Sequence, residues 1–386
     1  MRRSYHAAGM RIAIEAWAAA EVPAGRGRYV RELLRGLAAT DADHEYVLLG
    51  RRPWRSPALD ERFRWVAIDT PGLRWLPAAA RAAARRRPDL LLATTSYALC
   101  GLVRSPCVAV VYDLVAFDPA MRAPIGARAE RVTLPIAVRR ARALLCISEA
   151  TRAALVARAP AANETAVAIP LAADPAFGAV APGDAAVPVR HGIGRPFVLC
   201  AATVEPRKNL PRLIEAFAGL PPALRDAHEL VLAGARGWQE DETFAAVRRH
   251  AGRVRTLGYV EDAELQALYR RAAVFAFPSL GEGFGLPVLE AMAAGTAVLT
   301  SNRSSLPEVG GDAARYADPL DVDDIRAGLA ALLSDPAERA RLAARGRARA
   351  AGFSWARTAR ETLAVLEAAA AGEPVGPALV AARDGA

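Results

Sequence analysis

The sequence predicts an α/β chain built from two doubly wound halves. Three observations carry that expectation. Short β-rich runs alternate with helical patterns, the alternation runs its course twice, and a stretch rich in proline, glycine and alanine separates the two rounds. A length of 386 residues with 53% hydrophobic content is ample for more than one core.

In the first half the expected strands are Arg11 to Ala16, Tyr46 to Leu49, Trp65 to Ile68, Leu90 to Thr94, Cys107 to Tyr112, Leu144 to Ile147 and Thr165 to Ile169. Helical patterns fall between most of them. Arg28 to Ala38 carries Tyr29, Val30, Leu33, Leu34 and Leu37 at the spacing of one buried helix face, and Gly25 and Gly27 open it. The chain before Met10 starts with Arg2 and Arg3 as a signal peptide would. Arg11 and Glu15 break the apolar core such a peptide needs, so the first residues read as a loose extension.

Between Asp174 and Arg195 the pattern fades into a linker containing Pro175, Pro182, Gly183, Pro188, Gly192 and Gly194. The second half restarts with strands at Phe197 to Ala202, Leu230 to Ala233, Arg255 to Tyr259, Val274 to Pro278 and Ala297 to Thr300. From Asp321 to Ala370 the chain reads as helix, and the amphipathic run after Phe353 and Trp355 is expected to cross back to the first domain. The expected boundaries are 10–180 for the first domain, 195–350 for the second and 351–372 for the crossing helix.

A net charge of +9 and a pI near 9.9 call for an anionic partner without choosing among nucleic acid, membrane and phosphorylated substrate. No nucleic-acid-binding motif accompanies the charge, so nucleic acid is not an expected partner. The segment Leu76 to Arg87, arginine among alanine, fits a solvated helix face, an anionic membrane surface or contact with a lipid-linked acceptor. Cys100, Cys107, Cys146 and Cys200 are widely spaced, mostly in apolar runs and without a CxxC pair. They read as buried reduced thiols, which places the chain in the cytoplasm and makes structural zinc improbable. No apolar stretch is long enough to span a bilayer.

In open α/β sheets ligands bind beyond the carboxyl ends of the strands, so the residues after each strand matter most. Of the 50 basic residues all but Lys208 are arginine, and Lys208 sits in Glu205-Pro206-Arg207-Lys208-Asn209, just past an expected strand. An ammonium is a compact charge with three rotatable donors and a guanidinium is a flat fork, so a close-packed phosphate pocket distinguishes them. The richest junction is the run from Pro278 to Gly295, which contains Glu282, Gly283, Phe284, Gly285, Leu286 and Glu290. A strand ends, a glycine-rich loop turns, and a helix is expected to start at Pro287. Backbone N–H groups at Gly285 and Leu286 would point from that helix start toward a diphosphate. Glu290, one turn on, suits the vicinal hydroxyls of a ribose, and Glu282 in the loop suits a sugar, with Arg207 and Lys208 supplying the neutralising charge.

This segment resembles the glutamate-seven-residues-glutamate motif of the family 4 retaining glycosyltransferases, and the likeness extends from about Met10 to Trp355. It is nearest to the mannosyltransferase-like branch. Gly25-Arg26-Gly27-Arg28-Tyr29 is similar to the family's N-terminal glycine loop, and Val110-Val111-Tyr112-Asp113-Leu114 to the strand end that meets the transferred sugar. Ile147-Ser148-Glu149 is similar to a helix start in the same domain, Glu205 to Asn209 to the segment of diphosphate-binding bases, and Gly258-Tyr259-Val260 to the place where the nucleobase rests. The resemblance implies a GT-B fold, two Rossmann-like domains facing each other across a cleft. It implies an enzyme that moves a hexose from a nucleotide sugar, GDP-mannose being the suggested donor, to a glycan or lipid-linked acceptor in polysaccharide biosynthesis.

Glu282, Asp113 and Lys208 would be catalytic, with Gly25, Gly27, Tyr112, Arg207, Tyr259, Val260, Gly283, Phe284, Gly285, Leu286 and Glu290 binding the donor. No metal-binding DxD arrangement is evident, so no metal or other cofactor is expected. A cytoplasmic location allows peripheral contact at the inner face of the membrane. Two positions depart from the family pattern: Tyr112 stands where histidine is common, and Thr203 where many members have arginine, a charge Arg207 is placed to supply. An epimerase of the same fold and a non-catalytic sugar-nucleotide binder are the alternatives.

Overall fold

The computed structural model describes residues 9–376 and Leu379, apart from Ala24, Asp41 and 118–125; most of the extension expected before Met10 lies outside them. Among the described residues, thirteen strands form two wholly parallel sheets. The first contains β1 (Arg11–Glu15), β2 (Glu45–Gly50), β3 (Phe63–Ala67), β4 (Leu90–Ala93), β5 (Cys107–Val111), β6 (Ala143–Cys146) and β7 (Ala166–Ala168), in the order β3-β2-β1-β4-β5-β6-β7. The second contains β8 (Phe197–Ala201), β9 (Glu229–Ala233), β10 (Val254–Gly258), β11 (Val274–Phe277), β12 (Val298–Ser301) and β13 (Arg315–Ala317), in the order β10-β9-β8-β11-β12-β13. Most inner strands are buried along their whole length, as sheets covered on both faces require.

Both orders reverse once, between β1 and β4 and between β8 and β11. Two strands that leave a reversal in opposite directions open a crevice at their carboxyl ends, and ligands of doubly wound sheets sit there. The chain divides into two units: residues up to Leu171 together with Trp355 onward, and Ala172–Ser354 between. The helix Trp355–Ala371 packs in the first unit on the helix Arg26–Ala38 and on β4, β5 and β6. Its approach is close, since a Cβ on Gly36 would lie 2.5 Å from that of Ala359.

Three features differ from the sequence expectation. The 174–195 stretch is folded onto the second unit instead of hanging as a linker. Arg270 explains it: its fork grips Asp184 (Nε to Oδ2 2.6 Å, Nη2 to Oδ1 2.9 Å) and its Nη1 donates to the Ala176 carbonyl at 2.9 Å, while Phe177 packs edge-on against Tyr269. Strand β13 was not expected, because three residues at a sheet edge carry no readable period. Cys100 and Cys107 form a disulfide and are not free thiols: the short helix Leu99–Leu102 and the turn after it return the chain to the start of β5, with the two Cα atoms 5.5 Å apart. Cys146 and Cys200 are buried free thiols, pushed up to about 12 by burial. No described helix is long and apolar enough to cross a membrane.

Candidate functional site

At the reversal of the second sheet, the turn after β8 carries Arg207 and Lys208 and the loop after β11 carries Glu282. The structure brings the three together. Lys208 Nζ donates to Glu282 Oε1 at 2.8 Å, Arg207 Nη1 pairs with Glu282 Oε2, and Ser279 Oγ donates to Oε1 at 2.7 Å. The Lys208 ammonium also lies 5.0 Å from the centre of the Phe277 ring. Burial alone would raise the Glu282 carboxyl; the charges of Arg207 and Lys208, with the hydrogen bonds from Lys208 and Ser279, hold it down at about 2.

Neighbouring loops hold this cluster in place. Asn209, at φ 60°, donates from its amide to the Pro278 and Pro319 carbonyls (3.0 and 2.6 Å), and the Leu280 N–H donates to the Arg207 carbonyl at 2.8 Å. Glu205 accepts from Arg207 Nη2 at 2.6 Å and from Trp238 Nε1 at 3.2 Å, so the loop after β9 helps to orient the guanidinium. From the loop after β12, Ser304 and Ser305 donate to the Glu282 carbonyl at 2.5 and 3.0 Å.

Gly285, at φ 108°, precedes the helix Leu286–Ala294; a Cβ there would meet Leu306 at 2.7 Å. Its carbonyl takes the Val288 and Leu289 N–H groups, whereas the N–H groups of Gly285 and Leu286 have no acceptor among the described residues. Two donors and the positive end of a helix therefore lie three and four residues past Glu282, the carboxylate that Arg207 and Lys208 hold. Gly283 is buried in the same loop, and Phe284 is turned inward against Phe353. Glu290 is only 5% exposed and one of its oxygens accepts from Tyr269 Oη at 3.1 Å. Val260 is buried and Tyr259 is exposed, just past the end of β10. The ends of β8, β9 and β10 meet at Gly234, whose N–H donates to the Gly258 carbonyl at 2.7 Å and whose Cβ would sit 1.9 Å from the Ala202 carbonyl oxygen.

The reversal of the first sheet has its own constellation. Gly25 at φ 53° caps the helix Arg26–Ala38, and Gly27 admits no side chain, since a Cβ would come within 1.8 Å of the Val22 carbonyl oxygen. Tyr112 directly follows β5 and lies beneath the Arg26 guanidinium (5.2 Å to the ring centre) and edge-on to Tyr29. Its hydroxyl is buried with no partner among the described residues. Asp113 Oδ1 accepts from the Val115 N–H at 3.0 Å, which makes it at least a turn former. The sequence reading missed Glu15. This fully buried carboxylate takes five donors, Trp17 Nε1, Thr95 Oγ1 and Ser96 Oγ on one oxygen and the Thr95 and Ser96 N–H groups on the other, and so ties the end of β1 to that of β4.

Comparison with known proteins matches this pattern. The Glycosyl transferases group 1 profile covers residues 188–349 and the Glycosyltransferase Family 4 profile covers 23–177. The chain belongs to the family 4 glycosyltransferases. Among curated family members it is 46% identical over 169 residues to the O-antigen chain mannosyltransferase B of Escherichia coli, covering 43% of this chain and 44% of that one. It is 38% identical over 187 residues to the MMP alpha-(1->4)-mannosyltransferase of Mycolicibacterium hassiacum, covering 47% and 45%. The chain thus spans less than half the length of the curated relatives it matches. Solved structures add the fold: sucrose-phosphate synthase from Thermosynechococcus elongatus superposes with a TM-score of 0.75 at 20% identity (92% of this chain, 97% of that one). Anabaena HepE in complex with UDP-glucose does so with 0.75 at 19% (92% and 99%). The two-domain α/β architecture is the GT-B fold expected for the family.

Proposed function

We propose that this family 4 glycosyltransferase moves a hexose, mannose in the first instance, from a nucleotide sugar to a glycan or lipid-linked acceptor during polysaccharide biosynthesis. One observation carries the reading. Arg207, Lys208 and the open N–H groups of Gly285 and Leu286 converge on the crevice between β8 and β11, where an anionic leaving group gains most from them. As the bond from the anomeric carbon to the phosphate oxygen breaks, its electron pair goes to the diphosphate, and the growing charge faces two side-chain cations and a helix start. The acceptor oxygen forms the new bond to that carbon, and its proton passes to the departing phosphate oxygen. Stabilisation that grows with the leaving group's charge accelerates transfer, whereas equal grip on the ground state does not.

The second unit binds the donor in this reading: Glu282 orients the cations and meets the sugar, Glu290 meets the ribose, and Tyr259 and Val260 border the base. The Gly25 loop, Gly27, Tyr112 and Asp113 serve the same reaction from the first unit. The mannosyltransferase names of the relatives support mannose as the transferred sugar, and GDP-mannose is the donor proposed for it. The diphosphate's charge is met by side chains and amides, so the reaction needs no metal. The test is a thermal-shift panel of nucleotide sugars followed by a transfer assay with chelator present. The expected result is stabilisation by GDP-mannose and chelator-resistant release of GDP with a glycosylated product. Isomerised donor without acceptor would show an epimerase instead, and binding with neither transfer nor hydrolysis a non-catalytic binder.

A further inference from the structure

Joining β1 to β4 does not require the charge of Glu15. The two strands are already paired through Ile12 with Leu90, Ala13 with Leu91 and Ile14 with Leu92, and the Thr94 hydroxyl donates to the Glu15 carbonyl at 2.5 Å. The Glu15 side chain nevertheless takes a carboxylate to a place where it is 0% exposed, and no cation pairs with it among the described residues. Such a group is tolerated only where fixed donors replace its water. Here the donors are the Trp17 indole and the turn Thr95-Ser96, which follows β4 at the reversal of the first sheet.

This arrangement fixes the direction in which the turn's protons point. A carboxylate with donors on both oxygens accepts and does not donate. Thr95 Oγ1 and Ser96 Oγ therefore give their protons inward, at 2.6 and 2.5 Å, and the Thr95 and Ser96 N–H groups are spent on the second oxygen at 2.8 and 2.9 Å. Thr95 Oγ1 also accepts from Trp17 Nε1 at 2.9 Å. Both residues are half-buried, and what their hydroxyls still offer is lone pairs, one on Thr95 and two on Ser96. At the end of β5, the strand beside β4, the buried Tyr112 hydroxyl has no partner among the described residues, so a second polar group stands open at the same reversal. Phosphate and carboxylate oxygens would set acceptor against acceptor at the turn. A sugar hydroxyl brings the proton that Thr95 and Ser96 lack.

We propose that Glu15 is a positioning residue for the acceptor: it holds the Thr95 and Ser96 hydroxyls as hydrogen-bond acceptors, so that the turn selects an uncharged sugar and disfavours one phosphorylated where it meets the turn. The inference rests on the transferase reading for calling this ligand the acceptor, and its first test omits the donor so that the two stand or fall separately. The full chain is titrated, without sugar nucleotide, with a panel of uncharged hexose disaccharides and their 6′-phosphates, followed by saturation-transfer NMR. Binding of at least one uncharged member, with its phosphate about tenfold weaker or worse, is expected. In Glu15→Gln the amide oxygen keeps the two N–H groups while the amide NH2 donates to the hydroxyls and turns their protons outward. This variant should bind the uncharged sugar about tenfold more weakly and narrow its gap to the phosphate. Ser96→Ala should show the same loss at unchanged melting temperature, with Glu15 left in place. In the transfer assay each variant should raise the acceptor KM about tenfold and leave the nucleotide-sugar KM within about twofold, whereas a mere staple would move the melting temperature and both KM values together. The same binding pattern without transfer would support the turn's polarity and overturn only the transferase reading. The proposal is overturned by a panel in which no uncharged member binds, by phosphates that bind as well as their parents, by wild-type affinity in both variants, or by equal rises in the two KM values.

Discussion

The Asn209 amide donates to the Pro278 carbonyl at 3.0 Å, fastening the turn after β8 to the loop after β11. The residue before Asn209 is Lys208, and the loop it fastens leads to Glu282. The contact between Lys208 and Glu282 therefore depends on a third residue whose side chain touches neither.

Asn209→Ala should cost about 2–4 kcal/mol in urea unfolding. It leaves two buried carbonyls without their donor and forces alanine into left-handed backbone. Asn209→Gly relieves the backbone term alone, so it should recover part of the stability and little of the transfer rate.

Lys208→Arg should fold and lose about a hundredfold or more in kcat, measured as nucleoside diphosphate release. A planar fork cannot occupy the place of an ammonium lodged between Glu282 and the Phe277 ring. Lys208→Met should lose at least as much. Full activity in Lys208→Arg would remove the reason for giving this lysine a special role.

Glu282→Gln should lower stability at neutral pH by about 3 kcal/mol, because a carboxyl held at about 2 against an ordinary 4.5 favours the folded state once ionised. The sign follows from a lowered folded value: the contribution is fully present above pH 4.5 and is lost as pH falls toward 2. The melting temperatures of wild type and variant should therefore converge across that window, and a gap that stays constant would count against the ion-paired state.

Tyr112→Phe should leave stability unchanged or raise it by about 1 kcal/mol, since the buried hydroxyl it removes has no partner among the described residues. If that hydroxyl meets the donor sugar, kcat/KM should fall about tenfold with no loss of folding. Tyr112→His should change the ranking of donors in the thermal-shift panel.

What was legible in the sequence was whatever lies in short stretches at strand ends. Lys208 and Glu282 could be expected to meet because each follows an apolar run and one carries the charge the other needs. The open N–H groups at Gly285 and Leu286 follow from a glycine before a proline-started helix. The Asp184–Arg270 pair was not legible: its partners are 86 residues apart, and it turned an expected linker into part of the second unit. Cys100 and Cys107 pair because of one turn's geometry, which their spacing did not announce. Glu15 was read only as an interruption of the apolar core that a signal peptide needs. Its meaning lies in hydroxyl and amide donors from Thr95 and Ser96, about 80 residues on, and no local pattern points to them.

The helix Trp355–Ala371 also sets an order of assembly. During translation the whole of Ala172–Ser354 leaves the ribosome before this helix does, so the later unit can close on itself while the earlier one still lacks a piece. Until then Tyr29 and Gly36 lack the cover that Trp355 and Ala359 give them, and a nascent chain halted at Ser354 would present that strip to chaperones and proteases.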